Sequence, residues 1–197
     1  MPVFAEKARA TPFHRHHIIE RYGLLTIISL GEIMLAISLG FGALYGEHFS
    51  LASALTAVSA LLLVFLLFWI YFCEKEHLPS SDLKVAFVWG YGHVFIFGGI
   101  AALGAGIAAE LDIAQHHSQI TQNDVAWWVG VPLAIVFTSI WATRDKYFNR
   151  GPRGFALPVM ALASLAAAAA GLETWAFALI ALIALLWRVP LREPAAD

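Results

Sequence analysis

The sequence predicts an all-α fold, a polytopic transmembrane bundle of about six spans. Three observations carry that prediction. Hydrophobic residues make up 60% of the 197-residue chain while charged residues make up only 13%, where water-soluble domains run near half apolar and a quarter charged. Mean hydropathy is +0.73. The apolar residues also gather into stretches long enough to cross roughly 30 Å of hydrocarbon, which takes about 17–25 residues of helix.

In chain order the stretches run Tyr22–Leu44, Leu51–Cys73, Val85–Ala109, Val125–Ala142, Phe155–Leu172 and Thr174–Trp187. They divide the chain into an N-terminal segment (1–21), a six-helix membrane domain (22–187) and a short tail (188–197). The sixth stretch is short, and only Gly171, Leu172 and Glu173 are available to turn the chain between the fifth and sixth. A re-entrant or tilted hairpin is the alternative there. Pro132 and Pro158 mark expected kinks, or, for Pro158, a helix start.

Basic residues near membrane spans stay on the cytoplasmic side. Lys7, Arg9, Arg15, Arg21, Lys75, Lys84, Arg144, Lys146, Arg150, Arg153, Arg188 and Arg192 are the 12 Lys and Arg residues, and this span count puts all of them on one face. The opposite connections carry Glu47, Glu110, Asp112, Asp124 and Glu173. The expectation is an inner-membrane protein with both termini in the cytoplasm. Trp69, Trp89, Trp141 and Trp187 on one side, and Trp127, Trp128 and Trp175 on the other, fit interfacial belts.

Ionisable groups at membrane depth are rare and commonly functional. Glu32 stands ten residues into the first span and His93 eight into the third, roughly 15 and 12 Å deep at 1.5 Å per residue. A Glu32–His93 pair, direct or through water, is therefore the central expectation, against Glu32 or His93 serving only as packing. Arg21 and Glu32 differ by eleven residues, about 20° around a helix axis, so Arg21, Leu25, Ile28 and Glu32 share one stripe. His17, Glu20 and Arg21 precede it as a polar head or an interfacial anchor. The third span repeats glycine at Gly92, Gly99 and Gly106 and forms a small-residue row at Gly98, Ala102 and Gly106. Such rows let helices approach closely, which predicts a central third helix.

Several function classes are excluded. The net charge of -2 gives no nucleic-acid partner a footing. Cys73 is the single cysteine, so no disulfide framework or multi-cysteine metal site forms within one chain. No lysine sits within a span to anchor retinal, and one deep histidine cannot ligate haem from both sides. The histidine runs at His14, His16 and His17 and at His116 and His117 lack metal-ligand spacing. No cofactor and no metal are expected, and no enzyme activity, although His17, Glu20 and Arg21 at headgroup level keep an intramembrane enzyme as a third reading.

The run from Ala10 to Glu32, with His17-Ile18-Ile19-Glu20-Arg21-Tyr22-Gly23-Leu24-Leu25-Thr26-Ile27-Ile28-Ser29-Leu30-Gly31-Glu32 at its centre, resembles the bacterial low-temperature-requirement A (LtrA) family. Trp69-Ile70-Tyr71-Phe72 and Trp89-Gly90-Tyr91-Gly92-His93 fit the same family, and the likeness runs from about Ala10 to Gly106. The resemblance implies that His17, Glu20, Arg21, Glu32 and His93 coincide with family motif positions. It also implies a double-length architecture of which this chain resembles the C-terminal half: either the chain is a truncated form of a longer protein, or a homodimer in the lipid bilayer completes it. The functional expectation is a proton- or cation-linked transporter or channel component; the alternative is a non-catalytic scaffold or low-temperature adaptation protein without transport.

Overall fold

The structure is a computed structural model that describes residues 15–43, 51–73, 83–114, 120–149 and 151–189. Its helices are α1 (Arg15–Ala43), α2 (Leu51–Phe72), α3 (Leu83–Ala114), α4 (Gln122–Phe148), α5 (Ala156–Ala169, entered through a 3-10 turn at Gly151–Phe155) and α6 (Thr174–Arg188). No strand occurs among the described residues. Four helices are long and apolar enough to cross a membrane: Leu51–Phe72, Val85–Ile113, Gln122–Phe148 and Gly151–Ala169. The bundle is thus helical and membrane-type as expected. The first helix carries Glu20, Arg21 and Glu32 along its length, and the last has only 15 residues, about 22 Å of rise.

Helix α3 is the centre of the bundle, and glycine is the reason. A Cβ on Gly99 would stand 2.7 Å from Val136 Cγ2, one on Gly106 would stand 2.5 Å from the Trp128 carbonyl oxygen, and one on Gly92 would run into Thr143. The seven-residue glycine repeat of α3 is therefore the seam on which α4 lies, antiparallel and close. The row expected at Gly98, Ala102 and Gly106 divides. Gly106 packs on α4, whereas Gly98 and Ala102 face outward and nothing lies within 4 Å of a Cβ built on Gly98.

On its other side α3 packs against α1, parallel to it. Gly90 lies against the Tyr22 ring and Gly104 against Ile33. The buried face of α1 is Gly23, Thr26, Leu30, Ile33 and Ile37, a strict three–four spacing that keeps one helical stripe inward.

Local chemistry sets the ends. Asp124, expected in an outer connection, forms a capping box with Thr121: Asp124 N–H donates to Thr121 Oγ1 at 3.3 Å and Thr121 N–H to Asp124 Oδ2 at 3.3 Å. This satisfies two of the free donors at the start of α4. The α5–α6 hairpin turns on Gly171, whose φ of 67° is the left-handed conformation that glycine alone adopts without Cβ strain. Gly171 N–H bonds Ala168 O and Leu172 N–H bonds Ala167 O, a Schellman closure of α5. Pro158 sits in the first turn of α5, where its missing N–H is no loss.

Two sequence expectations about helix ends need correction. Helix α3 runs to Ala114, so Glu110 is buried within it and not in a connection. Helix α4 continues through Asp145 to Phe148, which brings Arg144 and Asp145 into the protein interior. Apolar length alone ended both spans at the first ionisable residue, and here those residues are paired inside the helix.

The two glycine environments make opposite predictions for the same substitution. Gly106→Ala should lower resistance to thermal or denaturant unfolding by about 1–3 kcal/mol, because the Trp128 backbone cannot give way to the added methyl. Gly98→Ala should lose no stability. An unfolding titration of both variants in detergent or nanodiscs checks the contrast.

Candidate functional site

A buried polar cluster stands at the end of the bundle where α2, α4 and α6 finish and α1 and α3 begin. It starts from an unavoidable need. The last carbonyls of an α-helix have no intrahelical donor, and a helix end enclosed in protein must find donors elsewhere. Arg144 from α4 donates Nη2 to Ile70 O at 2.8 Å and Nη1 to Tyr71 O; Arg188 from α6 donates Nη1 to Ile70 O. Two guanidinium groups thus close the C-terminus of α2, where cations also match the negative end of its dipole.

Those cations require an anion. Asp145 supplies it: Arg188 Nη2 donates to Asp145 Oδ1 at 2.8 Å, and Arg144 Nε lies 3.4 Å from the same oxygen. The side chains of Asp145 and Arg188 are 1% and 0% exposed. Asp145 Oδ2 is buried without a hydrogen-bond partner among the described residues. A π-helical turn at Trp141–Asp145 makes this arrangement possible. The wider turn points three consecutive residues, Thr143, Arg144 and Asp145, inward, and all are buried. Such turns are often found at functional positions.

His93 joins the cluster from α3. Its Nδ1 lies 2.7 Å from Trp89 O and its Nε2 3.0 Å from the Tyr71 hydroxyl. A carbonyl only accepts, so Nδ1 carries a proton and donates to Trp89 O. In the neutral ring Nε2 then accepts from Tyr71. The imidazole is 1% exposed and is enclosed by aromatic rings, with Trp89 at 4.2 Å and Tyr22 at 4.9 Å between centroids. Arg144 lies over the Tyr71 ring at 5.7 Å. His93 therefore meets the Tyr71 hydroxyl while Arg144 meets the Tyr71 carbonyl and ring, so Tyr71 stands between the imidazole and the Arg144–Asp145–Arg188 group.

The site residues expected from sequence are distributed differently. Glu32 and His93 do not meet. With Tyr22 beside Gly90 and Ile33 beside Gly104, Glu32 stands level with about residue 103, ten positions beyond His93 and roughly 15 Å further along the bundle. Counting depth from the first apolar residue of each stretch had placed them together; the packing register separates them. Glu32 is also exposed, about 130° around α1 from its buried stripe. Arg21, Leu25, Ile28 and Glu32 do share one face, and all four are exposed. His17 Nδ1 lies 3.7 Å from Glu20 Oε2 with both side chains exposed, 74% and 58%, and Arg21 is exposed beside them. This exposed polar head takes no part in the buried cluster. A groove of about 560 Å3 between α4 and α5, lined by Val131, Ile135, Thr138, Pro158 and Leu162 among others, includes neither Glu32 nor His93.

No group of three or more potential metal ligands occurs among the described residues. The side chains of His14, His16, His116 and His117 lie outside them. Sequence reasoning counted Arg144 and Arg188 only among the cytoplasmic basic residues and passed over Asp145, and it read Trp89 as part of an interfacial belt although it is 3% exposed. The available signal was Asp145 itself, an acid set between Arg144 and Lys146. At the opposite end a smaller buried group ties α6: Thr174 N–H donates to Glu110 Oε1 at 3.1 Å and its hydroxyl donates to Glu110 Oε2. Glu173, the N-cap residue, makes no side-chain cap, so a carboxylate from α3 performs that role at the positive end of the α6 dipole.

The cluster predicts a graded set of stability losses. Arg188→Met leaves Asp145 with a weaker cationic contact and should cost about 3–5 kcal/mol, whereas Tyr71→Phe removes one neutral hydrogen bond to His93 Nε2 and should cost about 1–3 kcal/mol. Unfolding of the two variants in nanodiscs reads the difference, and equal losses would contradict the arrangement.

Three of the segments meeting here, around Tyr22, Ile70–Tyr71 and Trp89–His93, are those whose residues resemble one family. The family model of the bacterial low temperature requirement A protein (LtrA) matches residues 1–189, well beyond Gly106 and nearly the whole chain. No curated protein and no solved structure matches the chain. With the family model covering the bundle from α1 through the last turn of α6, the chain belongs to the bacterial LtrA family of integral membrane proteins.

Proposed function

We propose that this protein is a proton- or cation-linked transporter or channel component whose working centre is the buried cluster of His93, Tyr71, Arg144, Asp145 and Arg188. The observation that carries the reading is the concentration of ionisable groups inside a membrane bundle, with one oxygen of Asp145 unpartnered among the described residues. Buried charges in membrane helices are costly and mark ion pathways and proton relays more often than packing. His93 contributes an imidazole hydrogen-bonded on both ring nitrogens, to Trp89 O and to the Tyr71 hydroxyl, and Arg144 meets the same Tyr71 at its backbone carbonyl. Glu32 is not part of this centre, so the reading rests on His93 and Asp145. It has the protein in the inner membrane with both termini cytoplasmic, as the one-sided distribution of basic residues supports, and without enzyme activity.

A specific observation favours a second reading, a scaffold without transport. Arg144 and Arg188 spend their donors on the Ile70 and Tyr71 carbonyls, which is also what a purely structural clamp would do. Proton and alkali-cation flux in proteoliposomes separates the two. The transport reading expects flux above empty liposomes in the wild type, lost in His93→Gln and in Asp145→Asn, and retained in Glu32→Gln. Wild-type flux equal to that of empty liposomes, with the same variants altering only thermal stability, selects the scaffold.

A further inference from the structure

Helix α6 sets a thickness. It supplies 15 residues, about 22 Å of rise, against roughly 30 Å of hydrocarbon in an ordinary bilayer. Neither end has slack. Glu173 before the helix and Val189 after it are extended, Glu110 holds Thr174, and Asp145 holds Arg188. Tilting only shortens the distance that a helix covers.

Tryptophan marks a similar thickness on its own account, because the indole ring favours the headgroup level of either leaflet. On α6 the exposed Trp175 and Trp187 stand twelve residues apart, roughly 18 Å. On α4 the exposed Trp128 and the half-buried Trp141 stand thirteen apart, roughly 20 Å. The two helices run in the same direction with matching register. Gly130 of α4 lies against the Phe177 ring of α6; Trp128 and Trp175 each stand two residues before this contact, Trp141 and Trp187 eleven and ten after it. Two aromatic belts thus pass from helix to helix at equal heights. Between them the outward side chains are apolar, with Ile135 on α4, Val159 and Leu162 on α5, and Leu179 and Ile183 on α6. Outside them lie exposed Asp124 and Glu173 at one end and exposed Lys146 and Arg153 at the other. Charge, belt, apolar band, belt and charge is the profile of a lipid-facing surface, completed here within about 20 Å. Helix α2 differs. Its exposed apolar band runs from Leu51 through Leu55, Val58 and Leu62 to the exposed Trp69, roughly 27 Å.

We infer that the face formed by α4, α5 and α6 is a membrane-thinning surface, which takes a collar of compressed or short-chain lipid about 9 Å thinner than the bilayer that α2 meets. The lipid yields because the protein is held. Drawing Glu173 or Lys146 into hydrocarbon is costly, and the buried ties at both ends of α6 stop that helix from sliding or lengthening. Compressing lipid is cheap for each ångström of mismatch. The band has a belt at each end and large side chains between, which suits fluid lipid, whereas a helix partner in the membrane is met by small residues and close approach. This surface serves a transporter and a scaffold alike, so the inference goes beyond the reading above and needs no flux.

The test uses the full chain in a Cys73→Ser background, with a nitroxide on Leu62→Cys of α2 or on Leu179→Cys of α6. Both positions are exposed, so neither label enters the interior. They stand at nearly equal height, seven residues from Trp69 and eight from Trp187. Depth is read in phosphatidylcholine vesicles from collisions with dissolved oxygen and with a water-soluble nickel chelate. In oleoyl chains the label on α6 should lie roughly 6 Å below the nearer headgroups and the label on α2 roughly 16 Å below the same leaflet. From myristoleoyl to erucoyl chains the α2 label should sink as the bilayer thickens, while the α6 label stays at its depth. Equal depths at the two positions overturn the inference, as does an α6 label that sinks with chain length as far as the α2 label. An α6 label shielded from oxygen also overturns it, because a second copy or another protein would then cover this face.

Discussion

A helix that ends inside a bundle leaves carbonyl oxygens pointing where no water is at hand, and membrane proteins must answer that need internally. In this protein the need arises at the C-terminus of α2, and the answer organises the rest. Arg144 and Arg188 reach the Ile70 and Tyr71 carbonyls from two different helices. Burying two guanidinium groups then demands Asp145, and presenting Arg144 and Asp145 on the same side of α4 demands the π turn. Three helix ends are thereby held at one point by groups that cannot be separated without leaving a charge unpaired in a low dielectric. Through Tyr71 the same point reaches His93, so α3 and the Tyr22 ring of α1 share the arrangement.

The helix α6 shows how this logic compensates for length. At 15 residues it is too short to cross the hydrocarbon on its own. Both of its ends are tied by buried groups instead: Glu110 of α3 accepts from Thr174 at the start, and Arg188 engages Asp145 and Ile70 at the finish. Opposite charges at opposite helix ends each oppose the local dipole charge. Between them the helix buries the small side chains Ala176, Ala178, Ala181 and Ala184, with Phe177 directed toward Gly130 of α4.

Much of the architecture was legible in the sequence because lipid imposes a length and a composition that few other environments impose. The glycine repeat at Gly92, Gly99 and Gly106 announced a close helix neighbour, and α4 is that neighbour. The shared stripe of Arg21, Leu25, Ile28 and Glu32 followed from helical periodicity alone. The candidate site was read less well. His93 is buried in the protein, but its expected partner was assigned by counting residues from the start of each apolar stretch. That count ignores how far α1 and α3 are shifted along one another, which only the contacts of Tyr22 with Gly90 and of Ile33 with Gly104 establish. Arg144, Asp145 and Arg188 escaped notice for a related reason. Apolar patterning treats a charge as the end of a span, whereas a charge with a partner can lie within one.

Arg188 is in the last turn of the last described helix, and Asp145 waits for it more than forty residues upstream. A chain made from its N-terminus inserts α4 before α6 exists. During that interval Asp145 has only the marginal contact with Arg144, and the α2 terminus has one guanidinium where the finished protein has two. The tightest ion pair among the described residues is therefore also the last to form, and arrival of α6 acts as the closing step of biogenesis, the event that turns an assembly of inserted helices into a locked one.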